Sequence, residues 1–81
     1  MLKIYGSILC PDCVKCKADL DNAGVCYEYL DFADSLKNLK EFLSIRETQE
    51  VFIPVREAGK IGIPCIVDEE GKVSLTWEEY M

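Results

Sequence analysis

Short apolar runs alternate with amphipathic segments along the chain, and glycine or proline stands at most of the boundaries. Leu2–Tyr5 is an apolar run of strand length that Gly6 ends. Pro11 suits the first position of a helix, because the N–H that it lacks has no helical partner there. Gly24 supplies the stop signal of that helix. Its apolar face is predicted to consist of Val14, Cys16, Leu20 and Ala23.

The alternation continues to the end of the chain. A second strand over 25–32 precedes a helix that Asp34 or Ser35 caps, then a polar link at 47–50 and further helical turns at 54–58. An apolar strand over 61–67 and a hairpin partner over 72–75 enclose a turn at 68–71. Thr76 and Glu79 have the spacing of a capping box before a last helical turn. The order is therefore β-α-β-α-β-β-(α), an α/β pattern.

Length and composition narrow the possible functions. The 81 residues can build one core, so residues 1–81 are expected to form a single domain. The net charge of −6 repels phosphate backbones, which argues against nucleic-acid binding. No apolar run approaches the ~20 residues that cross a bilayer, and the first residues lack a secretory signal pattern, so no membrane partner is expected.

The chain contains no histidine. Neither a Ser-His-Asp nor a Cys-His catalytic pair can therefore form, and no histidine can bind a metal. The five cysteines are an odd number without the spacing of a secreted disulfide framework, which favours a reducing cytosol. The chemistry of this chain is expected to be sulfur chemistry.

Cys10-Pro11-Asp12-Cys13 lies between a predicted strand and a predicted helix. At a helix N-terminus, unpaired N–H groups and the helix dipole favour the thiolate, which is the nucleophilic form of cysteine. Because two residues separate the cysteines, the sulfur of Cys13 can form a disulfide with that of Cys10. The setting favours a redox pair; a structural pair or half of a zinc site are the alternatives.

With these residues the chain resembles a glutaredoxin, a branch of the thioredoxin superfamily. The resemblance runs from Leu2 to about Trp77 and rests on Cys10–Cys13, on Gly24–Glu28 and on Ile63-Pro64. It implies a thioredoxin-like fold: a four-stranded mixed sheet, the first two strands parallel and the last two antiparallel, with helices on both faces and the third helix truncated.

The same resemblance implies the site. Cys10 would attack a protein or small-molecule disulfide, and Cys13 would resolve the mixed disulfide. Pro64 would follow a cis peptide bond and face the two cysteines, presenting the backbone of Ile63 to substrate. The residues expected to contact substrate are Pro11, Asp12, Ile63, Pro64, Thr76 and Trp77. No bound cofactor is needed, and a monomer is expected.

The chain departs from the glutaredoxin pattern where that family binds glutathione. Ile8 replaces the usual lysine, Asp12 the aromatic residue between the cysteines, and Gly62-Ile63 the threonine-valine pair. Ser74-Leu75 stand at the paired glycines, although N–H groups at Thr76-Trp77 could still meet a carboxylate. The reducing equivalents come from glutathione or a thioredoxin-reductase-type flavoprotein, and these departures favour the flavoprotein.

The remaining cysteines leave alternatives open. Cys16 and Cys65 are predicted to pack in the core, and the role of Cys26 is open. Cys10, Cys13 and Cys16 have spacing reminiscent of iron–sulfur ligands, but the nearby fourth cysteine is missing. A metal or iron–sulfur module, and a thioredoxin-fold adaptor that binds without turnover, are therefore the alternative functions.

Overall fold

A computed structural model describes residues 1–81. It is a small α/β structure with a four-stranded mixed sheet in the order β2-β1-β3-β4. The strands are β1 (Leu2–Gly6), β2 (Tyr27–Asp31), β3 (Cys65–Val67) and β4 (Val73–Ser74). β1 pairs with β2 in parallel and with β3 antiparallel, and β3 pairs with β4 antiparallel. The predicted strand directions are thus confirmed.

Three α-helices and two 3-10 turns complete the fold. The helices are α1 (Pro11–Asn22), α2 (Leu36–Thr48) and the short α3 (Ile53–Glu57). A first 3-10 turn spans Glu50–Phe52, and a last one spans Trp77–Tyr80. Ser35 caps α2, its hydroxyl accepting from the N–H of Lys37 at 3.0 Å. None of the helices combines the length and apolar character needed to cross a membrane.

The sheet separates two apolar clusters, as the period-two alternation of β1 requires. The cluster on the α1 face contains Leu2, Ile4, Cys16, Leu20, Ile66 and Trp77. The cluster on the α2 face contains Tyr5, Phe42, Phe52 and Cys65. Because α1 and α2 cover opposite faces, the loop from β1 to α1 lies at the end of the sheet, outside both clusters.

Several predicted boundaries were wrong. β3 begins at Cys65 rather than at residue 61, because Gly62 has a φ of +88° and Pro64 has no N–H to offer a ladder. The paired part of β2 is shorter than 25–32, and α2 runs through Thr48 into the region predicted to be a link.

Two side-chain predictions also failed. Val14 is 52% exposed and Ala23 is exposed, so the buried face of α1 consists of Cys13, Cys16 and Leu20. The Thr76–Glu79 capping box does not form. The carboxylate of Glu79 accepts instead from the hydroxyl of Ser74, and that hydroxyl oxygen accepts from the N–H of Thr76.

Candidate functional site

Cys10 is the N-cap residue of α1 and Pro11 is its first helical residue, as the sequence predicted. The backbone of Cys10 is extended, with φ −94° and ψ 120°, and its N–H donates to the carbonyl of Ser7 at 3.0 Å. Its side chain makes no capping hydrogen bond. The sulfur is therefore half-exposed at the positive end of α1 and available to react.

Asp31, at the end of β2, fixes the loop that carries Cys10. Its buried carboxylate accepts from the N–H of Ile8 at 3.1 Å and from the N–H of Ala33 at 2.7 Å. Sequence reasoning missed this residue. The available signal was an acid at the end of a largely apolar strand, since a carboxylate that is buried there needs hydrogen-bond donors.

Cys13 lies one helical turn behind Cys10 and is fully buried. Burial raises the pKa of the Cys13 thiol to about 11, with a further increase from its hydrogen bond to the Cys10 sulfur; the backbone N–H of Ser7 and the Tyr29 hydroxyl oppose this increase. The proton therefore stays on Cys13 at neutral pH, and that thiol can donate to the sulfur of Cys10. A half-exposed cysteine and a buried, protonated cysteine thus lie side by side.

Gly6 and Tyr29 complete the surroundings of Cys13, and sequence reasoning missed both. A Cβ on Gly6 would lie 2.7 Å from the Cys13 Sγ and 3.0 Å from the Tyr29 hydroxyl oxygen. Only glycine leaves room at the end of β1 for both atoms. Burial first, and then the charge of the Cys13 thiolate and of Asp31, raise the pKa of the Tyr29 hydroxyl.

A surface cleft of about 590 Å³ opens beside Cys10. One wall includes Cys10 and Asp12, and the other includes Val55 and the 59–63 segment that precedes β3. The Ile63–Pro64 bond is cis, as the resemblance implied. Ile63 lines the cleft, while Pro64 is buried and Pro11 is exposed on the surface. The structure thus places Cys10, Asp12 and Ile63 around one space.

Arg46 of α2 holds the wall opposite Cys10. Its Nε donates to the carbonyl of Ile61 at 3.1 Å, and its Nη2 donates to the carbonyl of Lys60 at 2.7 Å. Arg56 in turn donates to the Arg46 carbonyl. Both guanidinium groups are therefore engaged with backbone, and the charged residues that line the cleft are Asp12 and Lys60.

Thr76 and Trp77 do not line this cleft. Trp77 is buried in the α1-face cluster, and its indole N–H donates to the Asp19 carboxylate at 3.0 Å. The N–H of Thr76 already donates to the Ser74 hydroxyl at 3.0 Å. The expected carboxylate site at these residues therefore loses one of its two donors to Ser74.

The other three cysteines lie outside the cleft. Cys16 and Cys65 are buried, as predicted, and burial raises the pKa of each thiol to about 12. Cys26 is exposed and belongs to a different groove, at the opposite end of the sheet. No three acidic, histidine or cysteine side chains come together as a metal site would require, since Cys16 points into the core.

Comparison with known proteins finds a relative of this chain. A protein of Haemophilus influenzae, described as uncharacterized, is 36% identical over 66 residues, which cover 82% of this chain and 77% of the relative. This chain belongs to the same family as that protein. No model of a described protein family matches the chain, and no solved structure matches it.

Proposed function

We propose that this protein is a thiol–disulfide oxidoreductase of the glutaredoxin type, with Cys10 as nucleophile and Cys13 as resolving cysteine. The observation that carries the proposal is the contact between a half-exposed Cys10 at the start of α1 and a buried Cys13 one turn later. The dithiol cycle needs this difference in exposure, because the Cys10 sulfur must reach the substrate and the Cys13 sulfur must attack the Cys10 sulfur from inside the protein.

The reaction transfers two electrons from the cysteine pair to a disulfide. The Cys10 thiolate attacks one substrate sulfur, the substrate S–S bond breaks, and the departing sulfur takes a proton. The Cys13 sulfur then attacks the Cys10 sulfur, and the mixed disulfide breaks. The second substrate sulfur takes up a proton as Cys13 loses its own. The substrate leaves as two thiols and the protein holds a Cys10–Cys13 disulfide.

The architecture supports a thioredoxin-like fold for this site. The sheet order β2-β1-β3-β4, with β1 and β2 parallel, has helices on both faces and carries Cys10 at the carboxyl end of β1. The cis bond before Pro64 lies in the segment that forms the opposite wall of the cleft. A protein or small-molecule disulfide would enter between these walls. We propose that the protein acts as a monomer in a reducing cytosol.

The choice of electron donor follows from the positions at which glutaredoxins bind glutathione. Ile8 is 61% exposed where glutaredoxins carry a lysine, and the Glu79 carboxylate lies beside Ser74 where they carry glycine. An anionic tripeptide such as glutathione would therefore meet an apolar side chain at the first of these positions and a negative charge at the second. We expect a thioredoxin-reductase-type flavoprotein to reduce the Cys10–Cys13 disulfide faster than glutathione does.

Turnover with the two donors tests the proposal. The protein should reduce a model protein disulfide with the flavoprotein and NADPH, and at least about tenfold more slowly with glutathione and its reductase. Cys10→Ser should abolish turnover, and Cys26→Ser, a matched change at the exposed cysteine, should preserve it. Cys13→Ser should accumulate a mixed disulfide that identifies the natural partner.

Absence of turnover with every donor would refute catalysis. If Cys13→Ser then still retained partners without a covalent bond, the adaptor function would stand in its place. Stoichiometric metal in the purified protein, lost on Cys16→Ser, would establish the metal-binding alternative instead.

A further inference from the structure

The Tyr29 hydroxyl is shielded from solvent and has no hydrogen-bond partner. A buried hydroxyl normally has one, because an unsatisfied polar group costs the free energy of its lost hydration. The hydroxyl of Tyr27, on the same face of β2, has a partner: it donates to Asp21 at 2.7 Å. The hydroxyl of Tyr29 is therefore free to donate a hydrogen bond in a state other than the resting, reduced one.

The position of Tyr29 indicates which group would accept a hydrogen bond from its hydroxyl. A Cβ on Gly6 would lie within 3.0 Å of both the Tyr29 hydroxyl oxygen and the Cys13 Sγ, so these two atoms approach the same place from two sides. The parallel register fixes this arrangement, since Tyr29 pairs with Ile4 and Asp31 pairs with Gly6. Lys17 of α1 holds the ring from outside, with its Nζ 4.3 Å from the ring centroid. The hydroxyl is thus held beside the sulfur of the resolving cysteine.

We propose that Tyr29 is a catalytic hydrogen-bond donor that stabilises the Cys13 thiolate during the resolving step. The proposal rests on the Cys10–Cys13 cycle of the proposed function. A buried thiolate is costly because it has lost its hydration, and a positioned donor offsets part of that cost. The Tyr29 hydroxyl keeps its own proton throughout.

The step balances without any further reactant. Cys13 loses a proton, its sulfur electron pair forms the bond to the Cys10 sulfur, and the Cys10–substrate bond breaks. The departing substrate sulfur takes the electron pair of that bond and a proton. Tyr29 changes neither charge nor oxidation state; its hydrogen bond is present while the Cys13 sulfur is negative.

The groups that face Cys13 and Tyr29 determine how the reaction of Cys13 depends on pH. Cys10 and Cys16 approach Cys13 from α1, the Ser7 N–H approaches from the preceding loop, and Asp31 faces Tyr29 from β2. The Ser7 N–H and the Tyr29 hydroxyl lower the pKa of Cys13, against burial and Cys10. Removing the Tyr29 hydroxyl therefore raises the pH at which Cys13 reacts.

The experiment follows the reaction of the reduced protein with dithiobis(nitrobenzoate), an aromatic disulfide that releases a coloured thiolate. The Cys26→Ser background is used throughout, because the exposed Cys26 would react as well. A first release reports attack by Cys10 and depends on reagent concentration. A second, concentration-independent release reports resolution by Cys13, and Cys10→Ser should remove both.

Tyr29→Phe should slow the second release at least about tenfold, the weakest effect expected for a hydrogen bond to a charged group. The first release should stay within about twofold of the background. The midpoint of the second rate against pH should also move upward. Tyr27→Phe, the same change two residues away, should leave both releases unchanged.

The outcomes separate this proposal from the proposed function. If the background protein shows no second release, Cys13 does not resolve and both proposals fail. If Tyr29→Phe shows a second release as fast as the background, only the role of Tyr29 is refuted. A Tyr29→Phe protein that melts well below the background would assign the hydroxyl a structural partner and would also overturn the proposal.

Discussion

At the scale of single residues, Asp12 acts on the site in two opposing ways. Asp12 is the second residue of α1, where its negative charge stabilises the helix by complementing the positive end of the helix dipole. The same negative charge lines the cleft with Cys10, and like charges in one cleft repel each other. Lys60 is the positive charge in the same cleft, but it stands on the far wall.

Asp12→Asn should therefore increase the rate at which iodoacetamide alkylates Cys10. The expected increase at neutral pH is about two- to fivefold, because an exposed charge at this range acts through partly screened surroundings. Mass-spectrometric mapping of the alkylated thiols measures it site by site. Glu70→Gln, which removes an exposed charge at the opposite end of the sheet, should leave the Cys10 rate unchanged. Equal rates in the wild type and Asp12→Asn would leave Asp12 with a purely helical role.

At the scale of elements, Asp19 joins α1 to the last 3-10 turn. Its carboxylate accepts from the Lys15 ammonium at 2.8 Å and from the Trp77 indole at 3.0 Å. These two donors, Lys15 first, hold the pKa of Asp19 below its usual value. A group with a lowered folded pKa stabilises the protein above its unfolded pKa, and that contribution is lost as the pH falls through the folded value.

Asp19→Asn should lower the melting temperature at pH 7, because asparagine can still accept from Trp77 but cannot pair with the Lys15 charge. The two melting temperatures should converge as the pH falls below the ordinary carboxyl pKa of about 3.9 and the carboxyl group of the wild type becomes protonated. Thermal melts at several pH values measure this difference. Glu47→Gln, at an exposed residue of α2, is the control and should follow the wild type. A difference that persists in acid would mean that packing, not charge, is responsible.

The sequence predicted elements better than it predicted contacts. β1 was recognisable from its apolar run, and α1 from Pro11 and Gly24, which act locally through backbone geometry. The late start of β3 could not be recognised in this way, because it depends on a contact distant in sequence. A Cβ on Gly62 would lie 2.5 Å from the Phe52 ring. The Thr76 capping box failed for a similar reason, because Ser74 competes for the same groups.

In the candidate site too, local features were predictable from the sequence and contacts between distant residues were not. The order of Cys10 and Cys13 followed from their place at a helix start, which is a local property. Tyr29 reaches Cys13 only through the parallel register of β1 and β2, and that register is set by packing between residues distant in sequence. No motif in the chain encodes such a contact.

At the scale of the whole molecule, three of the five cysteines are buried as free thiols. Burial raises the pKa of Cys16 and Cys65 to about 12 and that of Cys13 to about 11. In the unfolded chain these thiols ionise near pH 8.5. An acid whose pKa is raised in the folded state contributes stability below the unfolded pKa, and this is lost as the pH rises toward the folded value.

The free energy of unfolding should therefore fall as the pH rises from 8 to 10. Each buried thiol contributes up to about 1.4 kcal/mol per pH unit to this slope. Cys65→Ala should lower stability at all pH values and make the slope shallower, whereas Cys26→Ala, at an exposed site, should leave the slope unchanged. Urea denaturation under a phosphine reductant measures both. Parallel slopes for Cys65→Ala and the wild type would contradict burial of a neutral thiol at this position.

The chain has a single tryptophan, and its position gives the molecule a built-in optical reporter. Trp77 is packed in the same cluster as Cys16 and Leu20 of α1, and its indole is bonded to Asp19 of that helix. The indole thus packs against the helix that contains Cys13 and whose N-cap is Cys10. The emission of Trp77 will follow whether α1 remains docked on the sheet as the cysteines pass from thiols to disulfide, with no label attached to the protein.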